Sequence, residues 1–130
     1  MWVDDAALTA QDGAELHARL ARLRTALPDL KAAALATRSG LLLGADVDEG
    51  ADADVLAALG ADLLTSSEAA ARALTGGDPR EATVRGPDGH VIALAAGDDT
   101  VLVAMTDALV PTSSVLPRLR EAGRELAQAR

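Results

Sequence analysis

Hydrophobic and polar positions along the chain first follow a helical repeat. Four leucines recur at helical spacing, namely Leu16, Leu20, Leu23 and Leu27. This spacing repeats one face of an amphipathic helix, and Pro28 is a residue type at which helices end. We therefore predict a first helix over residues 11–26, with Thr9 or Asp12 as its cap.

Two short apolar runs follow and predict a β-hairpin. They cover residues 30–37 and 41–45 and are joined by Arg38, Ser39 and Gly40. A Ser-Gly pair between apolar runs is typical of a tight turn in which glycine takes a positive φ. The next stretch, residues 46–54, is acidic and contains glycine, so we expect a loop that leads into a second helix.

The second helix, predicted over residues 53–74, has an unusually wide apolar face. One arc, called the leucyl arc, holds Val55, Leu56, Leu59, Leu63, Ala70 and Leu74, and a second, the small arc, holds Ala57, Gly60, Leu64, Ser67 and Ala71. A polar side holds Asp54, Asp62, Thr65, Glu68 and Arg72. The two arcs cover roughly 200°, whereas a helix on one sheet needs an apolar stripe of ~100°. We expect the small arc to admit another backbone closely, unless an alanine-rich composition merely fills neutral positions.

The second half of the chain predicts three strands and a final helix. Residues 80–85 are mostly polar and predict an edge strand. Residues 91–96 and 101–105 are apolar at both odd and even positions, so both faces of each strand are apolar, which predicts central strands. The final helix has an apolar stripe formed by Val115, Leu116, Leu119, Ala122 and Leu126. Pro117 is best tolerated in a first turn, which places the cap near Ser113 or Ser114.

The element order is therefore α-β-β-α-β-β-β-α, with hairpin turns that make the sheet largely antiparallel. Strands with apolar side chains on both faces need helices on both faces of the sheet, which indicates an α+β sandwich. We expect residues 1–9, with Trp2, to be a flexible N-terminal arm and residues 10–130 to form a single domain.

Composition and charge exclude several classes of function. The 130 residues carry a net charge of −8 and contain no Cys, Phe or Tyr and one Trp. An acidic chain with almost no aromatic rings repels phosphate backbones and offers nothing on which bases can stack, so nucleic-acid binding is not expected. Without cysteine, disulfides and thiolate metal sites are excluded. No apolar run is long enough to span a bilayer, and the N-terminus lacks signal-peptide features, so we expect a cytoplasmic location.

No motif in the sequence predicts catalysis or a cofactor. The acidic loop starting at Asp46 does not fit the spacing of a calcium-binding loop, because Gly50 and Ala57 occupy ligand positions. His17 and His90 are far apart and have no clustered partner, and no phosphate-binding glycine motif occurs. We therefore expect no catalytic residue, no metal, no cofactor and no enzymatic activity.

Two features predict interaction instead. The polar edge strand 80–85 has an unpaired backbone, and helix 53–74 has more apolar surface than one sheet requires. Together they predict a homodimer with a two-fold axis, whose interface contains Val55, Leu56, Leu59, Leu63, Ser67, Ala70, Ala71, Leu74, Ala82 and Val84. The alternative is a monomer whose edge is protected by Arg80, Glu81 and Arg85.

A helix that ends in Leu-Pro-Asp-Leu is followed by an alanine-rich strand and by the run Gly40-Leu41-Leu42-Leu43, and the motif Gly89-His90-Val91-Ile92 occurs later in the chain. With these motifs the chain resembles the roadblock family, which includes dynein light chain roadblock and bacterial MglB. The resemblance covers about residues 12–128. The scarcity of aromatic residues and the presence of Pro117 depart from the family.

This resemblance implies a five-stranded antiparallel sheet with one long helix on one face and the two terminal helices on the other. It implies dimers formed through strand 80–85 and helix 53–74. It also implies a non-catalytic module that, in bacterial members, commonly acts beside a small Ras-like GTPase in signalling. Arg72, Arg80 and Arg85 lie near the implied dimer side, but no motif marks any of them as an arginine finger. A profilin-like or PAS-like domain that senses a small molecule or acts as a scaffold remains the alternative.

Overall fold

The computed structural model describes residues 10–77 and 80–128, so the predicted arm of residues 1–9 and the candidate cap Thr9 lie outside the described residues. Within those ranges the elements are α1 (Ala10–Ala26), β1 (Leu30–Thr37), β2 (Leu42–Val47), α2 (Ala53–Leu74), β3 (Glu81–Arg85), β4 (His90–Ala95), β5 (Thr100–Thr106) and α3 (Thr112–Gln128). The predicted element order is confirmed. Gly40 takes a φ of 96° in the β1–β2 turn, as its sequence context predicts.

The five strands form one antiparallel sheet in the order β2-β1-β5-β4-β3. One face packs against Leu20 and Leu23 of α1 and Leu119 of α3, and the other packs against Leu56 and Leu64 of α2. The predicted α+β fold, with one long helix on one face and the terminal helices on the other, is therefore confirmed. The polar strand is an edge of the sheet, also as predicted.

Helix α2 lies very close to the sheet because small residues face it. Ala57 and Ala61 are almost completely buried, and a Cβ atom added at Gly60 would lie only 2.4 Å from Val103 Cγ2 of β5. Ala57, Gly60 and Leu64 of the small arc therefore pack on the protein's own sheet. The close approach that these residues permit is to β5.

The start of α3 differs from the prediction. The helix begins at Thr112, and the Ser114 amide donates to the Pro111 carbonyl at 3.0 Å, so Ser113 and Ser114 lie inside the first turn. Pro117 consequently falls in the second turn, where it lacks the N–H that would bond to the Ser113 carbonyl. Both residues are exposed, so water can satisfy that carbonyl.

Buried and half-buried ion pairs fix the β1–β2 hairpin to the helices. Arg24 of α1 binds Asp46 at 3.2 Å. Arg38 of the hairpin turn pairs with Glu68 of α2, which is only 8% exposed. Glu68 belongs by helical spacing to the polar side of α2, but it is buried because the turn folds over that flank and supplies a cation.

Candidate interaction surface

The two edges of the sheet are protected very differently. At the β2 edge, His17 of α1 donates its Nδ1–H to the Ala45 carbonyl at 2.7 Å. A Cβ added at the neighbouring Gly44 would lie 2.7 Å from Leu16, so α1 packs directly on this strand. An edge that is covered by a helix cannot readily pair with another strand. Helix α1 therefore protects β2.

The β3 edge has no comparable cover in the part of the chain that the structure describes. Thr83, Val84 and Arg85 are exposed. Ala82 and Val84 lie opposite Ala93 and Val91 of β4, which belong to the core under α2. Because cross-strand partners point to the same face of a sheet, the apolar side chains of β3 lie on the α2 side.

The outer flank of α2 carries large exposed apolar side chains. Val55 is 50% exposed, Leu59 62% and Leu74 84%. Ala70 is also exposed, and Leu63, Ser67 and Ala71 are half-buried. Isolated exposed leucines are common, but a row of them along one helix flank indicates a binding surface.

Leu56 requires a correction, because it is only 8% exposed and packs in the core beneath α2. The other members of the leucyl arc lie outside or half outside the core. Helical spacing alone cannot tell these two arcs apart, because both are apolar. The small side chains face the sheet because they allow the backbone of α2 to approach β5.

The apolar flank of α2 lies on the β3 side of the helix. The opposite flank lies over the β1–β2 turn, since a Cβ at Gly40 would be 3.1 Å from Ala58 Cα. At 100° per residue, Leu63 and Ala70 lie on the other flank from Ala58, and α2 also contacts β3. The flank and Val84 therefore form one continuous surface, which we call the α2–β3 surface.

Strand β3 is held to α3 on the other face of the sheet. Arg120 donates to the Glu81 carboxylate at 2.8 Å, and Arg85 donates to Thr112 Oγ1 at 3.0 Å. The hydrogen bond from Arg120, together with its charge, lowers the pKa of Glu81 despite partial burial. These contacts fix the strand in place, and among the described residues they leave the outer backbone edge and the α2-facing side chains of β3 unoccupied.

The polar groups of the described residues do not assemble into a catalytic or metal-binding cluster. Among residues 10–77 and 80–128, no group of three or more His, Asp or Glu side chains could hold a metal ion. His90 is buried, and its Nδ1 has no hydrogen-bond partner. His17 is engaged with β2. Arg80 directly precedes β3, Arg85 ends it, and Arg72 lies in the last turn of α2.

Sequence reasoning missed two residues of the α2–β3 surface. Ser66 and Ala73 are exposed on the same flank as Val55 and Leu59. Their position on the helical wheel was the available signal, but neither is hydrophobic enough to stand out from an alanine-rich helix.

The architecture defines a small α/β sandwich with one open sheet edge and an adjoining apolar helix. The family model of the Roadblock/LC7 domain matches residues 16–106, which is most of the chain. The chain therefore belongs to the Roadblock/LC7 family, as the sequence resemblance indicates. Among curated proteins, none matches the chain significantly.

Solved structures show the same fold. A Roadblock/LC7 domain from Streptomyces avermitilis is 19% identical, with a TM-score of 0.79 over 87% of this chain and 95% of that one. Myxococcus xanthus MglB is 20% identical, with a TM-score of 0.80 over 94% and 92%. Profilin II from Acanthamoeba castellanii is 12% identical, with a TM-score of 0.63 over 87% and 97%.

No helix within the described ranges is long and apolar enough to cross a membrane.

Proposed function

We propose that the chain is a non-catalytic module that forms a homodimer through the α2–β3 surface and regulates a small Ras-like GTPase in the cytoplasm. The single observation that carries the dimer is the coincidence of an open β3 edge with the exposed flank of α2. An isologous interface requires a surface that complements itself across a two-fold axis. A strand edge does so by antiparallel pairing with its own copy, and a row of leucines does so by packing against its own copy.

The side chains at this surface favour a second copy over water. Leu59 and Leu74 expose most of their side chains, and Val84 exposes 48%. Pairing of β3 with its symmetry mate satisfies its outer N–H and C=O groups, while the apolar flanks of the two α2 helices bury each other. The other edge is closed to this arrangement, because His17 already occupies a backbone carbonyl of β2.

Membership of the Roadblock/LC7 family supports a GTPase as the partner. With a net charge of −8, the dimer would attract a basic surface on its partner and accelerate the encounter. Regulation would then consist of binding one nucleotide state better than the other, because a ligand shifts an equilibrium only by its difference in affinity for the two states. A tenfold preference corresponds to about 1.4 kcal/mol.

The test is a titration of the purified chain against the small Ras-like GTPases of its source organism. Each GTPase is loaded with GDP or with a non-hydrolysable GTP analogue, and Kd is measured for both states by calorimetry. We expect at least a tenfold difference in Kd for one GTPase. Equal affinity for both states, or no binding to any of these GTPases, would refute the regulatory function.

The pocket that the described residues of α1 and α3 form does not favour the alternative function as a small-molecule sensor. The pocket between α1 and α3 has a volume of about 160 Å³, whereas small-molecule sites typically measure roughly 300–1,000 Å³. Similarity to profilin concerns the fold and brings no ligand site with it. A small molecule that copurifies in stoichiometric amount, detected by native mass spectrometry, would reinstate the sensor.

A further inference from the structure

The outer edge of β3 offers the backbone groups of alternate residues. At the two ends of the β3–β4 ladder, the Ala95 amide donates to the Arg80 carbonyl at 2.8 Å and the Gly86 amide donates to the Gly89 carbonyl at 2.9 Å. Hydrogen-bonded and non-hydrogen-bonded pairs alternate along an antiparallel ladder, so the even-numbered residues of β3 bond to β4. The N–H and C=O groups that point outward are therefore those of Glu81, Thr83 and Arg85.

These three residues also carry opposite charges at the two ends of the strand. Their partners in β4 include Ile92 and Leu94 of the core beneath α1 and α3, so their side chains lie on that face of the sheet. Glu81 begins the strand, Arg85 ends it and Thr83 is midway between them. In an antiparallel pair of identical strands, the first residue of one strand can lie opposite the last residue of the other. The charge pattern of β3 is therefore complementary to itself.

We infer that β3 selects a second copy of this chain in a single register, with Thr83 on the two-fold axis, an inference that rests on the proposed homodimer. In this register Glu81 lies opposite Arg85 of the second copy, and symmetry repeats the contact. All the outward-pointing residues then form hydrogen-bonded pairs, each of which exchanges two backbone hydrogen bonds. Opposite charges and paired threonines directly across an antiparallel ladder both stabilise the pairing.

Other registers lose these contacts. Because opposite residues point to the same face of a sheet, a two-fold axis that keeps both α2 helices on one face passes through a residue. With the axis at Val84, Glu81 lies opposite Pro87, which has no N–H to donate. With the axis at Ala82, Arg85 lies beyond the start of the opposite strand. An axis at Glu81 or at Arg85 places like charges directly opposite each other, which destabilises the pairing.

Contacts within the chain leave both charged side chains able to bind across the axis. A carboxylate has about four acceptor sites, and Arg120 occupies two of them at Glu81. A guanidinium group has several N–H donors, and Thr112 accepts from one of them at Arg85. Both side chains are thus held in place before the second copy binds, which lowers the entropy cost of pairing. The same charges disfavour a strand that lacks the complementary pattern.

Cysteine cross-linking measures the register directly, because the chain contains no cysteine of its own. Residues opposite each other in a hydrogen-bonded pair have Cα atoms about 5.5 Å apart, within the range of about 4.4–6.8 Å that a disulfide spans. Thr83→Cys should therefore form covalent dimers under mild oxidation. Ala82→Cys and Val84→Cys are the matched controls, because each would lie roughly 8 Å from its own copy. We expect Thr83→Cys to cross-link at least about tenfold faster than either control.

Charge exchange tests the selection of the partner. Glu81→Arg and Arg85→Glu each place like charges opposite each other, so each variant alone should dimerise about tenfold more weakly in sedimentation equilibrium. A mixture of the two restores opposite charges at both positions and should form the mixed dimer in preference to either homodimer, which native mass spectrometry distinguishes by mass. Loss of the Arg120 contact in Glu81→Arg occurs in both of its dimers and so cannot by itself favour the mixed one.

The control for charge exchange is Arg118→Glu, which makes the same substitution as Arg85→Glu at another exposed position. Arg118 lies on the flank of α3 that faces α1, away from β3. This variant should dimerise as tightly as the wild type and should form no excess of mixed dimer with Glu81→Arg. Circular dichroism checks that each variant is folded.

The outcomes separate this inference from the proposed function. A wild-type chain that remains monomeric in sedimentation equilibrium would refute the proposed homodimer and the register with it. If the wild type dimerises but Ala82→Cys or Val84→Cys cross-links as fast as Thr83→Cys, only the register is overturned. A merely statistical proportion of mixed dimer from Glu81→Arg and Arg85→Glu would overturn the selection by charge. None of these measurements involves a GTPase, so the regulatory function is tested independently.

Discussion

Gly60 allows a direct test of how α2 is seated on the sheet. A Cβ atom at this position would lie 2.4 Å and 2.5 Å from the two methyl carbons of Val103, closer than real Cβ atoms come to other heavy atoms. The substitution Gly60→Ala must therefore push α2 away from β5 or distort Val103. Since α2 carries the exposed leucines, any shift of the helix also moves the α2–β3 surface.

The expected magnitude follows from two opposed effects. Replacing glycine by alanine in a helix interior stabilises the helix by about 1 kcal/mol, whereas overpacking a core costs about 1–3 kcal/mol. We therefore expect Gly60→Ala to lower the free energy of unfolding by about 0–2 kcal/mol. Gly13 of α1 provides the matched control, because nothing lies within 4 Å of a Cβ added there, and Gly13→Ala should stabilise the protein by about 0.5–1 kcal/mol.

Urea unfolding followed by circular dichroism measures both variants, with unchanged m-values as the check that unfolding remains comparable. A double-mutant cycle with Val103→Ala isolates the contact, because removing the two methyl groups makes room for the new Cβ. We expect a coupling energy of about 1–3 kcal/mol in favour of the double variant. If Gly60→Ala stabilised the protein as much as Gly13→Ala, or if the coupling were zero, the argument for close seating would be refuted.

Three further predictions concern the interface and the ion pairs. Leu59→Glu should weaken dimerisation by about 2–4 kcal/mol, since fully burying a leucine contributes about 1.5–3 kcal/mol, Leu59 has 62% of its surface left to bury, and the two-fold axis counts the contact twice. Sedimentation equilibrium measures this, and Leu109→Glu, at a position 94% exposed in the β5–α3 loop, should have no effect. Glu81→Gln should cost about 0.2–1 kcal/mol at neutral pH. Arg120 lowers the pKa of Glu81 in the folded state. The difference in unfolding free energy between the two proteins should therefore be complete above the ordinary pKa of 4.5 and should vanish as the pH falls through the lowered pKa. A constant difference in an unfolding series from pH 7 to about pH 3 would contradict this prediction. Arg38→Met should lower the free energy of unfolding by about 2 kcal/mol, because it leaves the buried carboxylate on α2 without its partner; an unchanged urea midpoint would contradict this.

Periodicity found the elements because each is dictated by its own neighbours in sequence. The leucine spacing of α1, the glycine turn at Gly40 and the extent of helix 53–74 all depend on residues a few positions apart. The polar composition of residues 80–85 was likewise sufficient to place β3 at an edge, since a strand between two others on a helix-covered sheet would bury those groups.

The same reasoning failed where a residue is placed by a contact with a residue that lies elsewhere in the sequence. By helical spacing Glu68 belongs to the polar side of α2, but Arg38, thirty positions away, lies over it and buries it. The start of α3 was misplaced because a local rule about Pro117 was given more weight than the turn closed on Pro111. In each case the deciding partner is not visible in a local pattern.

The sequence by itself determined that this is an acidic α+β domain with an open strand and an over-wide apolar helix, and its motifs sufficed to identify the family. Only the tertiary structure decided which of two apolar arcs faces inward. Close packing of α2 on β5 demands glycine and alanine at the contact, so Gly60 and Ala57 face the sheet and Leu59 and its neighbours face outward. The surface proposed for the dimer is thus a consequence of backbone distance in the core, a quantity that no pattern along the chain contains.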